Sequence, residues 1–328
     1  MRELAMIRGA KTLIETCANV KPGENVVVVT DFSMMNIGQV IVSMAYAAGA
    51  KTDLIVTTPR PFDGQEPTDP VSAALANCDV FFAVVDRSLT HTHAVQYALR
   101  QGARGIMLTG FTEEMLISGG LEADFHSLAP KTFKVASAIE DASIVHLTSN
   151  SGTNLVMSTK GQRANTYTCI VKPGEFSPVP NVEANIVPVE NSAQGVIVVD
   201  GSIPYEGIGL LKEPIKIEVE DGLITSISGG IQASRLADIL EKQNDPLVYV
   251  IAELGIGLNP HCRLIGCMLE DQGVYGTVHI GIGTNVTLGG TVKANSHYDF
   301  VLRNPTLVVD GHNVVKDGEV ILARSCAQ

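Results

Sequence analysis

Short apolar runs alternate with helix-period segments over the first 150 residues. The run Glu24–Asp31 is rich in β-branched residues and follows the turn Lys21-Pro22-Gly23, so it predicts a buried strand. Three similar runs follow, each separated from the one before by a segment with helical spacing. Because strands joined through helices pair in parallel with right-handed crossovers, we predict an α/β domain with a doubly wound parallel sheet. The predicted strands are 24–31, 52–57, 79–85 and 105–109, and the predicted helices are 35–49, 71–77 and 93–101.

The pattern changes after about residue 145, where short alternating runs are joined by tight turns. The sequence Glu220-Asp221-Gly222 predicts a hairpin, because Asp-Gly supplies the positive φ that a primed turn requires. We therefore expect two domains, a doubly wound domain over 1–145 and an α+β, mostly antiparallel domain over 146–328. The predicted elements of the second domain are strands 143–148, 154–159, 195–200, 215–220 and 223–228, a helix over 233–243, and a hairpin over 306–321.

Composition and charge limit the partners of the chain. Its 328 residues are 45% hydrophobic and carry a formal net charge of −12. This balance excludes wholesale disorder, and it argues against a nucleic-acid or anionic-membrane surface, which requires clustered lysine and arginine. No apolar run is long enough to span a bilayer, and the six cysteines are scattered. We expect a cytoplasmic protein with reduced thiols and neither a nucleic-acid nor a membrane partner.

The loops that bind nucleotide phosphates are not found in the sequence. Neither GxGxxG nor GxxxxGK[ST] occurs, and the first predicted strand ends in Thr30-Asp31-Phe32, without a glycine for close approach of a pyrophosphate. The nucleophile motif GxSxG is also missing. The sequence therefore predicts no nucleotide cofactor.

Polar side chains interrupt apolar runs between residues 250 and 300. Glu253 lies within Val248–Leu258, and His279 lies in the short apolar run Thr277–Ile280. If His297 and Asp299 lie on one strand, their spacing of two places both side chains on the same face. Imidazole and carboxylate groups that converge are typical ligands of transition metals. These positions therefore indicate a candidate metal site.

Each of these residues also has an ordinary structural interpretation. A single histidine in an apolar strand is often a hydrogen-bonded core residue, and a His-x-Asp pair is often solvated on a surface strand. Glu253 could be the buried partner of Arg263 or Arg235, because burying a carboxylate alone is costly. Taken by themselves, the residues leave the metal site and these structural roles as equal alternatives.

The C-terminal half resembles the metallo-aminopeptidases of the aminopeptidase T and aminopeptidase S group. In that family two divalent metals are held by two glutamates, two histidines and one aspartate. The resemblance implies five ligands here, and each position holds the matching residue type: Glu183 after Val179-Pro180-Asn181-Val182, then Glu253, His279, His297 and Asp299. One position departs from the pattern, because the catalytic tyrosine of the aminopeptidases is replaced by Val286.

Most of the chain also resembles the 2,5-dihydroxypyridine 5,6-dioxygenases, most clearly at Pro214–Pro260 and Gly281–Gly290. Those enzymes hold one Fe(II) with two histidines and an aspartate, an arrangement that leaves positions for substrate and O₂. His297 and Asp299 match two of these ligands, whereas Glu253 stands where the remaining histidine is expected. The resemblance also aligns His91, in Ser88-Leu89-Thr90-His91-Thr92, with a histidine that reaches the ring substrate.

These observations lead to two enzymatic hypotheses and one non-catalytic hypothesis. The first is a metal-dependent hydrolase that cleaves an amide bond, with a small or cyclic amide as one candidate substrate. It would use water activated by one or two ions of Zn, Mn, Co or Fe. Glu183 or Glu253 would then act as general base, and His91 would bind or protonate the substrate. The alternative is a non-haem Fe(II) ring-cleaving dioxygenase acting on a hydroxylated pyridine-type substrate. Both hypotheses imply a small-molecule substrate and a homo-oligomer, and the third is a binding protein without a metal.

Overall fold

The computed structural model describes residues 2–205 and 207–321. The chain divides into two compact units, Met1–Ala129 with Tyr167–Asn181, and Pro130–Thr166 with Val182–Gln328. The chain thus leaves the first unit and returns to it for one short segment before completing the second. The division into domains 1–145 and 146–328 stays a prediction.

The first unit contains a five-stranded parallel sheet of order β2-β1-β3-β4-β8. Its strands are β1 (Asn25–Asp31), β2 (Lys51–Thr57), β3 (Val80–Val84), β4 (Arg104–Met107) and β8 (Phe176–Pro178). Its helices are α1 (Arg2–Lys11), α2 (Met35–Ala47), α3 (Asp69–Leu75), α4 (His93–Arg100), α5 (Glu113–Ile117) and the first part of α6 (Phe125–Ile139). The first four strands agree with the predicted ones to within two residues at each end.

Both faces of this sheet are covered, as the continuous apolar run of β1 requires. Val27 and Val29 pack into one core with residues of α3 and α4, including Val71 and Val95. The alternate valines of β1 are also buried and point to the opposite face, where α2 contacts β1 and β2. The predicted doubly wound fold is therefore confirmed.

The second unit is built mainly from two antiparallel sheets, as predicted. The first has the order β14-β13-β10-β6-β5-β18-β19-β20, and the second has the order β12-β11-β17-β16-β15-β9-β7. The strands of the first sheet are β5 (Val145–Thr148), β6 (Asn154–Met157), β10 (Gln194–Val199), β13 (Ile215–Glu220), β14 (Leu223–Ser228), β18 (Thr306–Val309), β19 (His312–Lys316) and β20 (Glu319–Val320). The strands of the second are β7 (Ala164–Tyr167), β9 (Glu183–Ile186), β11 (Ser202–Ile203), β12 (Gly209–Leu210), β15 (Ile251–Gly257), β16 (Val278–Gly283) and β17 (His297–Leu302).

The helices of the second unit are few. They are α7 (Ile231–Lys242) and the short α8 (Met268–Asp271), together with the second part of α6. The predicted hairpin forms between β13 and β14, and both Asp221 and Gly222 have positive φ, as a primed turn requires. Within the described residues no helix is both long and apolar enough to cross a membrane.

The seven-stranded sheet has one mainly apolar face and one face of mixed character. Leu254 and Ile256 of β15 and Val278 and Ile280 of β16 alternate onto the apolar face and are fully buried. The intervening positions of β9, β15, β16 and β17 lie on the other face, where the candidate ligands are found. Since the period of a strand is two, the register of these strands decides which side chains meet there.

Candidate metal centre

Five acidic and imidazole side chains project from one face of the seven-stranded sheet. They come from four adjacent strands, β9, β15, β16 and β17, which pair antiparallel in register. They are Glu183, Glu253, His279, His297 and Asp299. The structure therefore brings together all five ligands that the aminopeptidase resemblance implies. Their role in binding stays a prediction.

Glycines stand opposite these side chains on the neighbouring strands. Gly281 of β16 is the cross-strand partner of both Glu253 and Asp299. Gly255 of β15 is the partner of His279, and the further pairs are Gly257 with Glu183 and Gly283 with His297. A glycine next to each ligand leaves the space above the sheet to the ligand side chain.

The distances from a Cβ atom built on each glycine to the facing side chains show how little space remains above these glycines. A Cβ atom built on Gly255 would lie 2.0 Å from His279 Nε2. One built on Gly281 would lie 2.7 Å from both Glu253 Cβ and His297 Cε1. The ligand side chains thus occupy the volume that larger residues at these positions would need.

The ligand atoms form two clusters that share Glu253. Glu183, Glu253 and His279 form one, and Glu253, His297 and Asp299 form the other, each with its ligand atoms within 4.8 Å of one another. The two oxygens of Glu253 are divided between the histidines: Oε1 lies 3.8 Å from His279 Nε2, and Oε2 lies 2.9 Å from His297 Nε2. Glu253 is therefore positioned to bridge two adjacent sites.

His279 provides the structural test of whether the residues suit a metal ion. Its side chain is fully buried, yet neither ring nitrogen has a hydrogen-bond partner among the described residues. Its Nε2 atom faces Glu183 Oε2 at 3.5 Å and Glu253 at 3.8 Å, both longer than a hydrogen bond. A buried imidazole nitrogen that faces two carboxylates without bonding to either fits a divalent cation among the three groups. The residues thus fit the metal that the sequence predicts.

Without a metal, the carboxylates and imidazoles of the site stabilise each other's charged forms. Burial favours the neutral imidazole, but the negative charges of Glu183 and Glu253 outweigh it and raise the pKa of His279 to about 9. Burial likewise opposes ionisation of Glu253, but the positive charges of the two histidines that face it lower its pKa to about 2. The pKa of His297 is also raised well above its usual value, because the charges of Asp299 and Glu253 outweigh burial. Metal binding must therefore displace protons from the imidazoles.

In the cluster of Glu253, His297 and Asp299, two side chains are oriented by hydrogen bonds to residues that are not candidate ligands. Nδ1–H of His297 donates to the carbonyl oxygen of Thr284 at 2.7 Å, which directs Nε2 towards Glu253 and Asp299. The Gln272 side-chain amide donates to Asp299 Oδ2 at 2.5 Å, while Oδ1 faces His297 at 3.1 Å. Such outer contacts fix the tautomer and orientation of metal ligands.

In the cluster of Glu183, Glu253 and His279, two asparagine side chains form a hydrogen-bonded chain that orients Glu183. Asn185 donates to Glu183 Oε1 at 2.6 Å, and Asn165 donates in turn to Asn185 Oδ1 at 3.0 Å and to the Leu288 carbonyl at 2.9 Å. Asn185 is fully buried. Because each amide has its acceptor, the carboxylate of Glu183 is held in one orientation, with Oε2 towards His279.

The two clusters differ in access to solvent. His279 and Glu183 are buried, whereas the side chain of His297 is 25% exposed. A substrate can therefore approach the cluster of Glu253, His297 and Asp299 more readily than the cluster of Glu183, Glu253 and His279.

The other residues singled out by the sequence do not join these clusters. His91 lies in the first unit, in the turn before α4, and is exposed. Val286, at the position of the aminopeptidase tyrosine, is 50% exposed at the start of a short 3₁₀ helix. Tyr298 points to the opposite face of β17 from His297 and Asp299, and its hydroxyl accepts from Gln243. The predicted role of His91 stays a prediction.

Sequence reasoning missed the residues that support the ligands. Gln272, Asn185 and Asn165 carry no motif, and only the fold brings them to the carboxylates. The glycine partners did leave a signal, because Glu253 and His279 are each followed by glycines at the second and fourth positions, as in Glu-x-Gly-x-Gly. On a strand this spacing places each ligand and its glycines on one face.

Comparison with known proteins gives a match over nearly the whole chain. The model of the NicX family, 2,5-dihydroxypyridine 5,6-dioxygenase, matches residues 5–322. A curated 2,5-dihydroxypyridine 5,6-dioxygenase of Pseudomonas putida KT2440 is 34% identical over 160 residues, which is 46% of this chain and 46% of that protein. The alignment thus spans less than half the length of this curated relative.

Two solved structures share the fold over the full chain. The 2,5-dihydroxypyridine dioxygenase of Pseudomonas putida KT2440 superposes with a TM-score of 0.81 at 21% identity, covering 97% of each chain. AmpT of Thermus thermophilus superposes with a TM-score of 0.71 at 15% identity, covering 98% of this chain and 100% of its own. Both predicted resemblances are therefore confirmed, and at these identities the superpositions establish the fold alone. A divalent-metal cofactor agrees with the matched family and with the two ligand clusters.

Proposed function

The chain belongs to the 2,5-dihydroxypyridine 5,6-dioxygenase family, and on this premise we propose that it is a metal-dependent dioxygenase that opens a hydroxylated pyridine-type ring. The observation that carries the proposal is the family match over residues 5–322, which includes both the parallel sheet and the ligand-bearing sheet. The comparisons support this alternative better than the amide hydrolase that leads the hypotheses from sequence.

His297, Asp299 and Glu253 would hold the metal in the more accessible cluster. Fe(II) bound there would supply the redox chemistry by which both atoms of O₂ enter the opened ring, so that no external reductant is required. His297 is held by the Thr284 carbonyl and Asp299 by Gln272, so neither side chain has to reorganise when substrate binds.

The buried surroundings of the site contribute to the same chemistry. Glu183, Glu253, His279 and Asp299 are shielded from bulk water, and only His297 is partly exposed. Because water is largely excluded from such a site, the electrostatic interactions between its charged groups and a substrate are stronger, and side reactions with water are limited. We propose that His91 contacts the substrate from the first unit, as the family resemblance implies.

A specific observation favours a second candidate, the metal-dependent hydrolysis of an amide. Neither ligand cluster contains two histidines and one carboxylate, the set typical of non-haem Fe(II) oxygenases. Instead, each has one histidine and two carboxylates, and Glu253 is shared. Metals bound there would lower the pKa of a water molecule and polarise a carbonyl, and Glu183 or Glu253 would take the proton as general base.

One experiment separates the two candidates. The purified protein is stripped of metal and reloaded under anaerobic conditions with Fe²⁺, Zn²⁺, Mn²⁺ or Co²⁺ in separate samples. Oxygen uptake is then measured with 2,5-dihydroxypyridine, and hydrolysis is measured with amino-acid amides and lactams. The proposal predicts oxygen uptake with the Fe²⁺ protein alone and one O₂ consumed per ring opened.

The controls assign the activity to the site. Asp299→Asn should abolish oxygen uptake, whereas Asn313→Asp, on an exposed strand of the other sheet, should leave it unchanged. Amide hydrolysis with Zn²⁺, Mn²⁺ or Co²⁺ and no oxygen uptake with Fe²⁺ would overturn the dioxygenase in favour of the hydrolase. If neither activity responds to metal, both proposals are wrong.

A further inference from the structure

One loop of the second unit is connected by hydrogen bonds to both ligand clusters. The loop covers residues 284–296 and joins β16 to β17. The carbonyl oxygen of Thr284 accepts from Nδ1–H of His297 at 2.7 Å, which orients a member of the accessible cluster. The carbonyl oxygen of Leu288 accepts from the side-chain amide of Asn165 at 2.9 Å. Two carbonyls of one short segment therefore face in two directions.

The contact at Leu288 reaches the other cluster through two amides. Asn165 donates to Asn185 Oδ1 at 3.0 Å, and Asn185 donates to Glu183 Oε1 at 2.6 Å. A shift of the Leu288 carbonyl would change the position of Asn165 and, through Asn185, the orientation of the Glu183 carboxylate. The geometry of the segment 284–288 thus bears on both clusters.

Backbone hydrogen bonds make the segment 284–288 a rigid unit. Val286–Leu288 form a short 3₁₀ helix. The N–H groups of Leu288 and Gly290 both donate to the carbonyl oxygen of Asn285 at 3.0 Å. Because these bonds fix the backbone between the two outward-facing carbonyls, we expect the carbonyls to shift together when the segment moves.

The side chain of Asn285 closes the base of the loop. Asn285 is 1% exposed, and its Oδ1 atom accepts from the N–H of Val292 at 2.9 Å. The N–H of Asn285 donates in turn to the Val292 carbonyl oxygen at 3.0 Å. An asparagine that precedes a helix commonly caps it with its side chain, whereas here the side chain bonds across the loop. A Cβ atom built on Gly290 would collide with this amide, so the glycine leaves the amide its room.

We propose that Asn285 is a positioning residue for both ligand clusters. By holding the segment 284–288 against Val292, it sets the carbonyl that orients His297 in one cluster. It also sets the carbonyl that orients Glu183, through two amides, in the other. The inference rests on the metal binding that both candidate functions require, and it does not depend on which reaction the site performs.

The test measures metal affinity in the full-length protein. Metal-free protein is titrated with Zn²⁺ in competition with a chelator of known affinity, and the affinities of the two sites are determined separately. Asn285→Ala should weaken both affinities about tenfold or more, as is typical when a contact that orients metal ligands is lost. Asn185→Leu should weaken mainly one affinity, because Asn185 bonds Glu183 alone among the five candidate ligands described. Adding Asn285→Ala to Asn185→Leu should then weaken mainly the other affinity.

Two further variants separate positioning from general stability. Gly290→Ala leaves Asn285 in place but pushes its amide away from Val292, so this variant should also weaken both affinities. Val315→Ala opens a cavity under β19 in the other sheet, so it should lower the midpoint of thermal unfolding and leave both affinities unchanged.

The outcomes distinguish this proposal from the metal centre itself. Two bound ions with an unchanged affinity at either site in Asn285→Ala would overturn the positioning role alone. An equal loss of affinity in Val315→Ala would also overturn it, because the effect would then follow stability. If the wild-type protein binds fewer than two ions, the two-site centre and this proposal fail together. If Asn285→Ala does not fold, Gly290→Ala decides the result.

Discussion

Gln272 fixes one oxygen of Asp299 and leaves the other for the site. The amide nitrogen of Gln272 lies 2.5 Å from Asp299 Oδ2, and Oδ1 of the same carboxylate lies 3.1 Å from His297 Nε2. Gln272 follows the short helix α8, whereas Asp299 is on β17, 27 residues later. The carboxylate is therefore oriented by a side chain from outside the ligand-bearing strands.

Replacing Gln272 with leucine should weaken metal binding. Without the amide donor Asp299 can rotate, and the loss of such an outer contact typically costs about 10–100-fold in metal affinity. The measurement is a competition with a chelator of known affinity. Gln243→Leu is the matched control, because it removes a glutamine amide that bonds Tyr298 on the opposite face of the same strand. An equal loss of affinity in both variants would contradict the orienting role of Gln272.

Gly255→Ala should disable one ligand cluster and spare the other. The new methyl carbon would lie 2.0 Å from His279 Nε2, so the ring must move away from Glu183 and Glu253. Elemental analysis and metal titration should then show two ions per chain in the wild-type protein and one in the variant.

The control for this variant is Gly9→Ala in helix α1. Its methyl carbon would meet the Leu116 carbonyl oxygen at 2.1 Å, a clash of similar size in the first unit. Gly9→Ala should lower thermal stability and leave the metal content unchanged. If both variants bind the same amount of metal as the wild-type protein, His279 is not a ligand.

Metal affinity should rise with pH between 6 and 8. The pKa of His279 in the metal-free protein is raised to about 9, so the imidazole is protonated over this range and must release its proton to bind a metal. Each proton displaced makes the apparent affinity about tenfold higher per pH unit. Titration with buffered Zn²⁺ at several pH values gives the slope, and His279→Ala should reduce that slope by one proton.

The stability of the metal-free protein should change in the opposite direction. Because the folded pKa of His279 lies above its unfolded value, the stabilisation from its protonated form is fully present below about pH 6.5. It is lost as the pH rises through about 9. Thermal unfolding of the metal-free protein should therefore show a falling midpoint over this interval, with a smaller fall in His279→Ala. A midpoint that rises over this interval, by an amount that His279→Ala removes, would contradict the expected sign.

Glu253→His should shift the site towards iron–oxygen chemistry. The substitution gives the accessible cluster two histidines and an aspartate, the set that the dioxygenase resemblance implies. We expect Fe²⁺-dependent oxygen uptake with 2,5-dihydroxypyridine to increase severalfold and binding of a second ion to be lost. Glu253→Gln, which removes the charge without adding an imidazole, is the control. It should lower both the oxygen uptake and the binding of the second ion. A lower oxygen uptake in Glu253→His than in the wild-type protein would show that the glutamate is required for the reaction.

Much of the architecture could be predicted because local pattern and burial agree. The run Glu24–Asp31 is apolar on both faces, which is characteristic of a central parallel strand. The dipeptide Asp221-Gly222 specifies the turn between β13 and β14 through the backbone conformation that these two residues adopt. The strand β8 could not be predicted in the first sheet. It is three residues long, contains Pro178 and joins the sheet from 69 positions beyond the end of β4. Such a pairing is set by tertiary contacts rather than by local propensity.

The residues that converge in the two clusters were easier to predict than the groups that orient them. His297 and Asp299 are recognisable because a strand places residues two apart on one face, and Glu253 and His279 because each interrupts an apolar run. Gln272 and Asn185 give no comparable signal, since an amide in either position is ordinary until the fold places a carboxylate beside it. The register between strands, which puts the two clusters next to each other, depends on the whole sheet.

The pairing of glycines with ligands bears on how such a site can change over evolutionary time. Gly281 has no side chain of its own, so it takes up none of the space beside Glu253. We expect that an imidazole can replace the carboxylate at position 253 without displacing the strands. One sheet can thus present ligand sets of different charge and hardness, and a single codon separates a carboxylate-rich centre from a histidine-rich one.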